Sequence, residues 1–247
     1  MKRVSVELVP RRKDTFLKEL ELLKVNFPLV DTLNIPDIIR YEVSSLESCE
    51  LAKPLFAHVI PHIRAGVINK DEDIPFKDFL AKNEINEVLV VLGDEPQEQA
   101  KGFTPCTSID LIKKFKLQIP KMKVYAAIDQ YRSTFDEEYE YIQRKIDAGA
   151  DGFFTQPFFD LKLIEFYSKK LKGVEIFWGI SPVATERSKA YWETNNKVKF
   201  PSDFKPTLEW NRTFAKEAFG FVKASNSNIY FMPIKADVVE YLTGIVK

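Results

Sequence analysis

The chain has 247 residues, 45% of them hydrophobic, and its 36 basic side chains are matched by 36 acidic ones. That balance excludes a global field drawing in nucleic acid or an anionic membrane, while leaving room for a local basic rim. Two cysteines (Cys49, Cys106) and two histidines (His58, His62) are too few for a disulfide framework or a multi-histidine metal centre, and fit free thiols in a reducing cytoplasm.

Short apolar runs alternate with amphipathic stretches from end to end. The first strand is expected at residues 4–9, directly behind Met1-Lys2-Arg3, a pattern unlike a secretory signal. A helix follows at 14–26, with Phe16, Leu17, Leu20, Leu22 and Leu23 as its apolar residues. Strands are expected next at 32–35, 57–63, 87–92 and 123–128. Thr134 and Glu137 have the spacing of a helix-start capping pair. They open a helix at 135–148 whose Tyr139, Ile142 and Ile146 should face inward. Gly149 stops it, and a buried strand follows at 152–156. A helix at 161–171, a strand at 175–180, a loop at 197–206, a helix at 210–224 and a strand at 229–234 complete the pattern. No apolar run approaches the roughly 20 residues that span a bilayer. Eight strands, each followed by a helical stretch, count out to one (β/α)8 barrel over residues 1–247. A doubly wound sheet is the alternative, but its G-x-G-x-x-G phosphate fingerprint is absent.

In such a barrel the strand C-termini converge on one pocket. Read in order, those ends carry Glu7, Asn34 with Asp37, His62 with Arg64, Gly93-Asp94, Asp129-Gln130, Gln156, Ser181 and Lys235. Glu7 sits in an apolar strand, where a carboxylate must be paired or protonated. It is either a general acid with a raised pKa or a core strut bonded to a cation. Gly93 lets backbone approach a ligand closely. Asp94 would accept from a ring N–H or stabilise a developing cation, or simply belong to a Gly-Asp turn. His62 fits a ligand contact or a hydrogen-bonded structural role better than proton transfer. Gln156 would hold a heteroaromatic ring through its amide or satisfy loop backbone. Trp192 would stack on a planar ligand or pack on the barrel. Arg144 and Lys145, at a helix end, would cap the helix dipole or bind phosphate.

Several segments, in order, resemble the methylenetetrahydrofolate reductase family. They are Ser5-Val-Glu-Leu-Val-Pro10, Ile60-Pro-His-Ile63, Leu92-Gly-Asp94, the specific run Lys145-Ile-Asp-Ala-Gly-Ala-Asp-Gly-Phe-Phe-Thr-Gln-Pro-Phe-Phe-Asp160, Gly179-Ile-Ser-Pro-Val183 and the last strand with Lys235. The resemblance implies a barrel-only member holding FAD at the strand C-termini. NADH or NADPH would reduce the flavin, which would pass hydride to 5,10-methylenetetrahydrofolate to give 5-methyltetrahydrofolate. That is an oxidoreductase on CH–NH donors, cytoplasmic, serving one-carbon metabolism and methionine biosynthesis. By the same resemblance Glu7 and Asp94 are catalytic, as proton donor and cation stabiliser. Asn34, His62, Gly93, Asp94, Ala127, Arg144 and Lys145 contact the flavin. Gln156, Trp192 and Lys235 contact substrate. No metal is implied, nor a nucleic-acid or membrane partner; a homo-oligomer and a partner subunit both stay open. Leu92, where the family often has Arg, and Ile128-Asp129-Gln130 depart on the flavin side. They keep a second reading in play: a folate-binding barrel, flavin-poor or dependent on a partner subunit, without independent reductase activity.

Overall fold

Eight parallel strands pair in chain order, and the last closes onto the first. They are β1 (Val4–Glu7), β2 (Thr32–Ile35), β3 (His58–Arg64), β4 (Glu87–Val91), β5 (Lys123–Ile128), β6 (Gly152–Pro157), β7 (Ile176–Ile180) and β8 (Asn228–Phe231). The helices are α1 (Lys13–Asn26), α2 (Ser45–Ala52), α3 (Lys77–Lys82), α4 (Ser108–Gln118), α5 (Phe135–Asp147), α6 (Leu161–Lys170), α7 (Glu186–Asn195), α8 (Leu208–Ala224) and α9 (Val238–Leu242). The structure, a computed structural model, describes residues 2–93 and 102–246. It is the (β/α)8 barrel the strand count predicts. Among the described residues no helix is long and apolar enough to cross a membrane.

Strand side chains alternate between two faces. One set, including Val4, Val6, Leu33, Val88, Phe153 and Trp178, is buried under the helices. The other fills the barrel axis with Ile60, Leu89, Tyr125, Phe154, Phe177, Tyr230 and Met232. Phe154 and Phe177 stack with centroids 4.1 Å apart, while Tyr125 meets both edge-on and Tyr230 meets Phe154 edge-on at 5.1 Å. This aromatic plug leaves no open pore, so the polar residues above it lie at the C-terminal mouth. The opposite end is closed by charge. Arg3 donates to both carboxylate oxygens of Glu87 (2.8 and 3.1 Å), to Thr32 and to the Tyr125 hydroxyl, and Lys123 pairs with Glu175 at 3.0 Å.

The helix signals hold at α5. Thr134 and Glu137 form a reciprocal capping box, and Gly149 leaves the helix at φ +106°. A Cβ at Gly149 would come within 2.8 Å of the Lys116 side chain, so glycine is required there on two counts. Its buried face differs from expectation. Ile142 is buried, but Glu138 and Lys145 accompany it, whereas Tyr139 is exposed and packs sideways on Phe135. In α1 only Phe16, Leu20 and Leu23 are buried; Leu17 and Leu22 lie on the outer side. The first and last strands are shorter than expected. β8 ends at Phe231 because Pro233 has no N–H to continue the ladder and the Ile234 N–H turns back onto the Met232 carbonyl. The segment expected as loop at 197–206 does lie between α7 and α8 without helix.

Candidate active site at the C-terminal mouth of the barrel

Glu7 is the last residue of β1 and alternates with the outward-packed Val4 and Val6, so its side chain faces the barrel axis. Its carboxylate accepts a hydrogen bond from the Tyr230 hydroxyl on the adjoining strand β8. Burial pushes the Glu7 carboxyl up to about 7; the Tyr230 bond and the Arg11 guanidinium pull the other way without cancelling it. Arg11 donates to the Ile234 carbonyl. The strut expected of a merely structural Glu7 is therefore a phenol, not a cation. Such a carboxyl carries a proton near neutral pH, the property a general acid needs.

Asn34 is the register partner of Glu7 on β2, and His62 projects one step higher on β3. Asn34 donates to Ser5 Oγ at 3.1 Å, but its Oδ1 is buried with no partner among the described residues. Among the described residues His62 Nε2 is likewise buried and unpartnered. Burial pushes the His62 imidazole down to about 3, so it is neutral across the physiological range. A buried polar atom with no partner costs roughly 1–3 kcal/mol, so these two atoms hold hydrogen-bonding capacity that a ligand or water could take up. A third lies across the mouth. Gln130 Nε2 donates to the Gln156 carbonyl at 2.8 Å, while Gln130 Oε1 has no partner among the described residues. Beside His62, Arg64 donates to Asp37 at 2.8 Å on the wall of an open recess of about 360 Å³. Gly93 adopts φ +76°, and a Cβ there would sit 2.8 Å from Arg64 Cβ, so only glycine lets the β4 exit pass this close to β3. Asp94 lies outside the described residues.

On the β5 side, the Ala127 carbonyl accepts a 2.6 Å hydrogen bond from Lys145 Nζ. Lys145 is buried beneath α5, its ammonium 4.0 Å from the Tyr141 ring centroid, and burial lowers its pKa to about 8 against the opposing pull of Glu138. Arg144 is exposed, its guanidinium 5.7 Å from the Tyr141 ring centroid, and Arg132 pairs with the buried Glu138 carboxylate. Neither expectation for this pair, dipole cap or phosphate ligand, describes Lys145 as it stands: it ties α5 to the strand end.

Gln156 leaves β6 where the register with β7 shifts between Phe154 and Pro157. That irregularity explains Gly179. A Cβ there would meet the Thr155 carbonyl at 2.6 Å and the Gln156 carbonyl at 3.0 Å. Trp192 on α7 packs into an aromatic cluster with Phe159, Val183, Val198, Tyr131, Phe200 and Phe204. Lys235 is exposed, its ammonium 5.9 Å from the Tyr191 ring centroid. The mouth thus brings together Glu7, Asn34, His62, Gly93 and Gln156, with Ala127 on the rim. Arg144 and Trp192 lie on α5 and α7, and Lys235 in the segment between β8 and α9. Tyr230 escapes a reading that takes only the last residue of each strand. Its signal was a phenol at an inward position on the strand that barrel closure brings against β1.

The family model described as methylenetetrahydrofolate reductase matches residues 52–220. The chain belongs to the methylenetetrahydrofolate reductase family. The match spans β3 to β7, hence His62, Gly93, Lys145 and Gln156; Glu7, Asn34 and Lys235 lie beyond it. No curated protein matches the chain by sequence at a significant level. Among solved structures, the chain is similar to an uncharacterized protein from Clostridium thermocellum that binds two copies of 5-methyl-5,6,7,8-tetrahydrofolic acid. Identity is 14%, TM-score 0.66, with 99% of this chain and 93% of that one covered. It is also similar to 2,3-dimethylmalate lyase of the PEP mutase/isocitrate lyase superfamily (12%, TM-score 0.59, 95% and 75% covered). Oxaloacetate acetylhydrolase is a further likeness (10%, TM-score 0.58, 94% and 75% covered). At these identities the likeness establishes the barrel and nothing finer.

Proposed function

We propose that the chain reduces 5,10-methylenetetrahydrofolate to 5-methyltetrahydrofolate, with FAD at the barrel mouth and NADH or NADPH as electron source. The observation that carries this is Glu7: a carboxyl at the mouth of a barrel of this family, its pKa raised to about 7. Pure folate binding has no use for a buried acid that holds a proton at neutrality. Reduction does, because the bridging methylene must open to an iminium before it accepts hydride, and opening requires a proton on the departing nitrogen.

The residues present fit a flavin. Among the described residues Asn34 Oδ1 and Gln130 Oε1 are buried acceptors without a partner and His62 Nε2 a buried ring nitrogen without one; the two oxygens suit ring N–H groups, and the imidazole suits either an N–H or a carbonyl of a planar heterocycle edge. Bound there, FAD would supply the hydride. His62, kept neutral by burial, adds no positive charge that would disfavour an iminium. Gly93 keeps the β4 exit close to the pocket, and Asp94 follows it as the anion proposed to stabilise the cationic substrate. Gln156 is proposed to hold the pterin and Trp192 and Lys235 to meet the rest of the substrate. One domain is proposed to carry all of this.

A second reading is favoured by Lys145. Its ammonium is already spent on the Ala127 carbonyl and the Tyr141 face, so it offers less to a flavin than the family pattern implies. On this reading the barrel binds methyltetrahydrofolate, as the Clostridium thermocellum protein does, and depends on a partner for reduction. An absorbance spectrum with FAD added, then NADH, then methylenetetrahydrofolate separates the two. Flavin bands that bleach with NADH and return with the folate support the reductase. Folate binding with no flavin retained, even with FAD in excess, supports the second reading.

A further inference from the structure

We propose that Tyr230 is the positioning residue that directs the Glu7 proton, its hydroxyl engaging Glu7 Oε2 so that Oε1 is the oxygen presented to substrate. The proposal rests on the reductase reading of Glu7 and adds to it a residue on another strand.

Three observations support it. Tyr230 is buried on the axis side of β8, with its ring edge-on to Phe154 at 5.1 Å. Phe154 is in turn clamped by Phe177 at 4.1 Å and by Tyr125 at 5.2 Å. The phenol therefore cannot swing away from the mouth without unpacking the aromatic plug. Its hydroxyl donates to Glu7 Oε2, and among the described residues Oε1 takes no hydrogen bond, so Oε1 is the oxygen left for another partner. The groups facing Glu7 that bear on its charge are Tyr230 from β8 and Arg11 from the segment after β1; Arg11 in turn faces Glu19 of α1. Arg11 also holds the Ile234 carbonyl, so Tyr230 makes the direct bond to the carboxyl.

The chemistry follows. The proton on Oε1 passes to the departing nitrogen of the methylene bridge as that carbon–nitrogen bond breaks. The lone pair of the other nitrogen forms the carbon–nitrogen double bond of the iminium. Glu7 is left as a carboxylate and regains a proton from solvent after turnover. The Tyr230 bond becomes charge-assisted while the proton leaves, so it is stronger at the transition state than in the resting acid. A bond of that kind accelerates the step.

The test is an infrared titration of the Glu7 carboxyl in protein labelled at glutamate carboxyl carbons, with Glu7→Gln identifying the band. Tyr230→Phe should move the midpoint up by about one pH unit or more, because a donor favouring the carboxylate is lost. The folate half-reaction should slow at least about tenfold, with its pH profile moving in the same direction. Site-specific replacement of Tyr230 by 3-fluorotyrosine keeps the ring and strengthens the donor. It should move the midpoint down, so a poorly folded Tyr230→Phe would not end the test. A midpoint unmoved by either replacement overturns the proposal. The titration needs no turnover, so failure of the reductase reading would show separately, as no folate reduction by the wild-type protein.

Discussion

Glu7→Gln isolates the energetic consequence of placing a carboxyl at the mouth. The native carboxyl titrates at about 7, against 4.5 for an unburied one. Each tenfold difference in proton affinity is worth about 1.4 kcal/mol, so the whole displacement corresponds to about 3 kcal/mol. The sign follows from which state binds the proton more tightly. Between pH 4.5 and 7 the native state keeps a proton that the unfolded chain has lost. The stability associated with the neutral acid is therefore complete below about pH 4.5 and is lost as pH rises through about 7. Glutamine is neutral throughout and escapes that loss. Urea unfolding of both proteins from pH 4.5 to 8 should show the variant gaining about 3 kcal/mol on the wild type across the range. Contributions from other groups, His62 included, are common to both and cancel. A difference that stays flat within about 0.5 kcal/mol would refute the argument that Glu7 is desolvated.

Three further outcomes are expected. The His62 ring should stay neutral from pH 8 down to about 4 by NMR, since burial holds its pKa near 3; a midpoint between 6 and 7 would place it in solvent. The stability associated with that neutral ring is complete above about pH 6.5 and is lost as pH falls through about 3. Gly93→Ala should destabilise by about 1–3 kcal/mol in chemical denaturation, because φ +76° is strained for alanine and its Cβ would meet Arg64. Arg3→Met leaves the Glu87 carboxylate without its bidentate partner at the N-terminal end. It should cost about 3–5 kcal/mol while leaving folate affinity unchanged, since the mouth is at the other end of the strands; an affinity change would show that the two ends are coupled.

The barrel was legible because its signals are local. Apolar runs of strand length, the Thr134–Glu137 box and Gly149 each act within a few residues, and each is found where the sequence places it. What failed to show depends on contacts distant in sequence. Tyr230 and Glu7 are 223 residues apart, and only closure of β8 on β1 makes them partners. Lys145 reads as a solvent-facing helix-end cation, but the long side chain folds under α5 to a carbonyl 18 residues earlier. Tyr139 follows the helical spacing of a core residue yet is exposed, because Glu138 and Lys145 occupy the inner face through hydrogen bonds and ion pairing. Hydrophobic periodicity gives no warning of buried charge. Gly179 is the converse case. It stands in a family-like run, and the physical need for it appears only with the carbonyls of β6 that crowd it.

Glu7 is proposed to supply the proton for folate reduction and not for flavin reduction. Anaerobic stopped-flow measurement of the two half-reactions, in wild type and Glu7→Gln, tests it directly. NADH should bleach the flavin of the variant at the wild-type rate, and reoxidation by methylenetetrahydrofolate should be lost. Reoxidation at the wild-type rate in Glu7→Gln would contradict it.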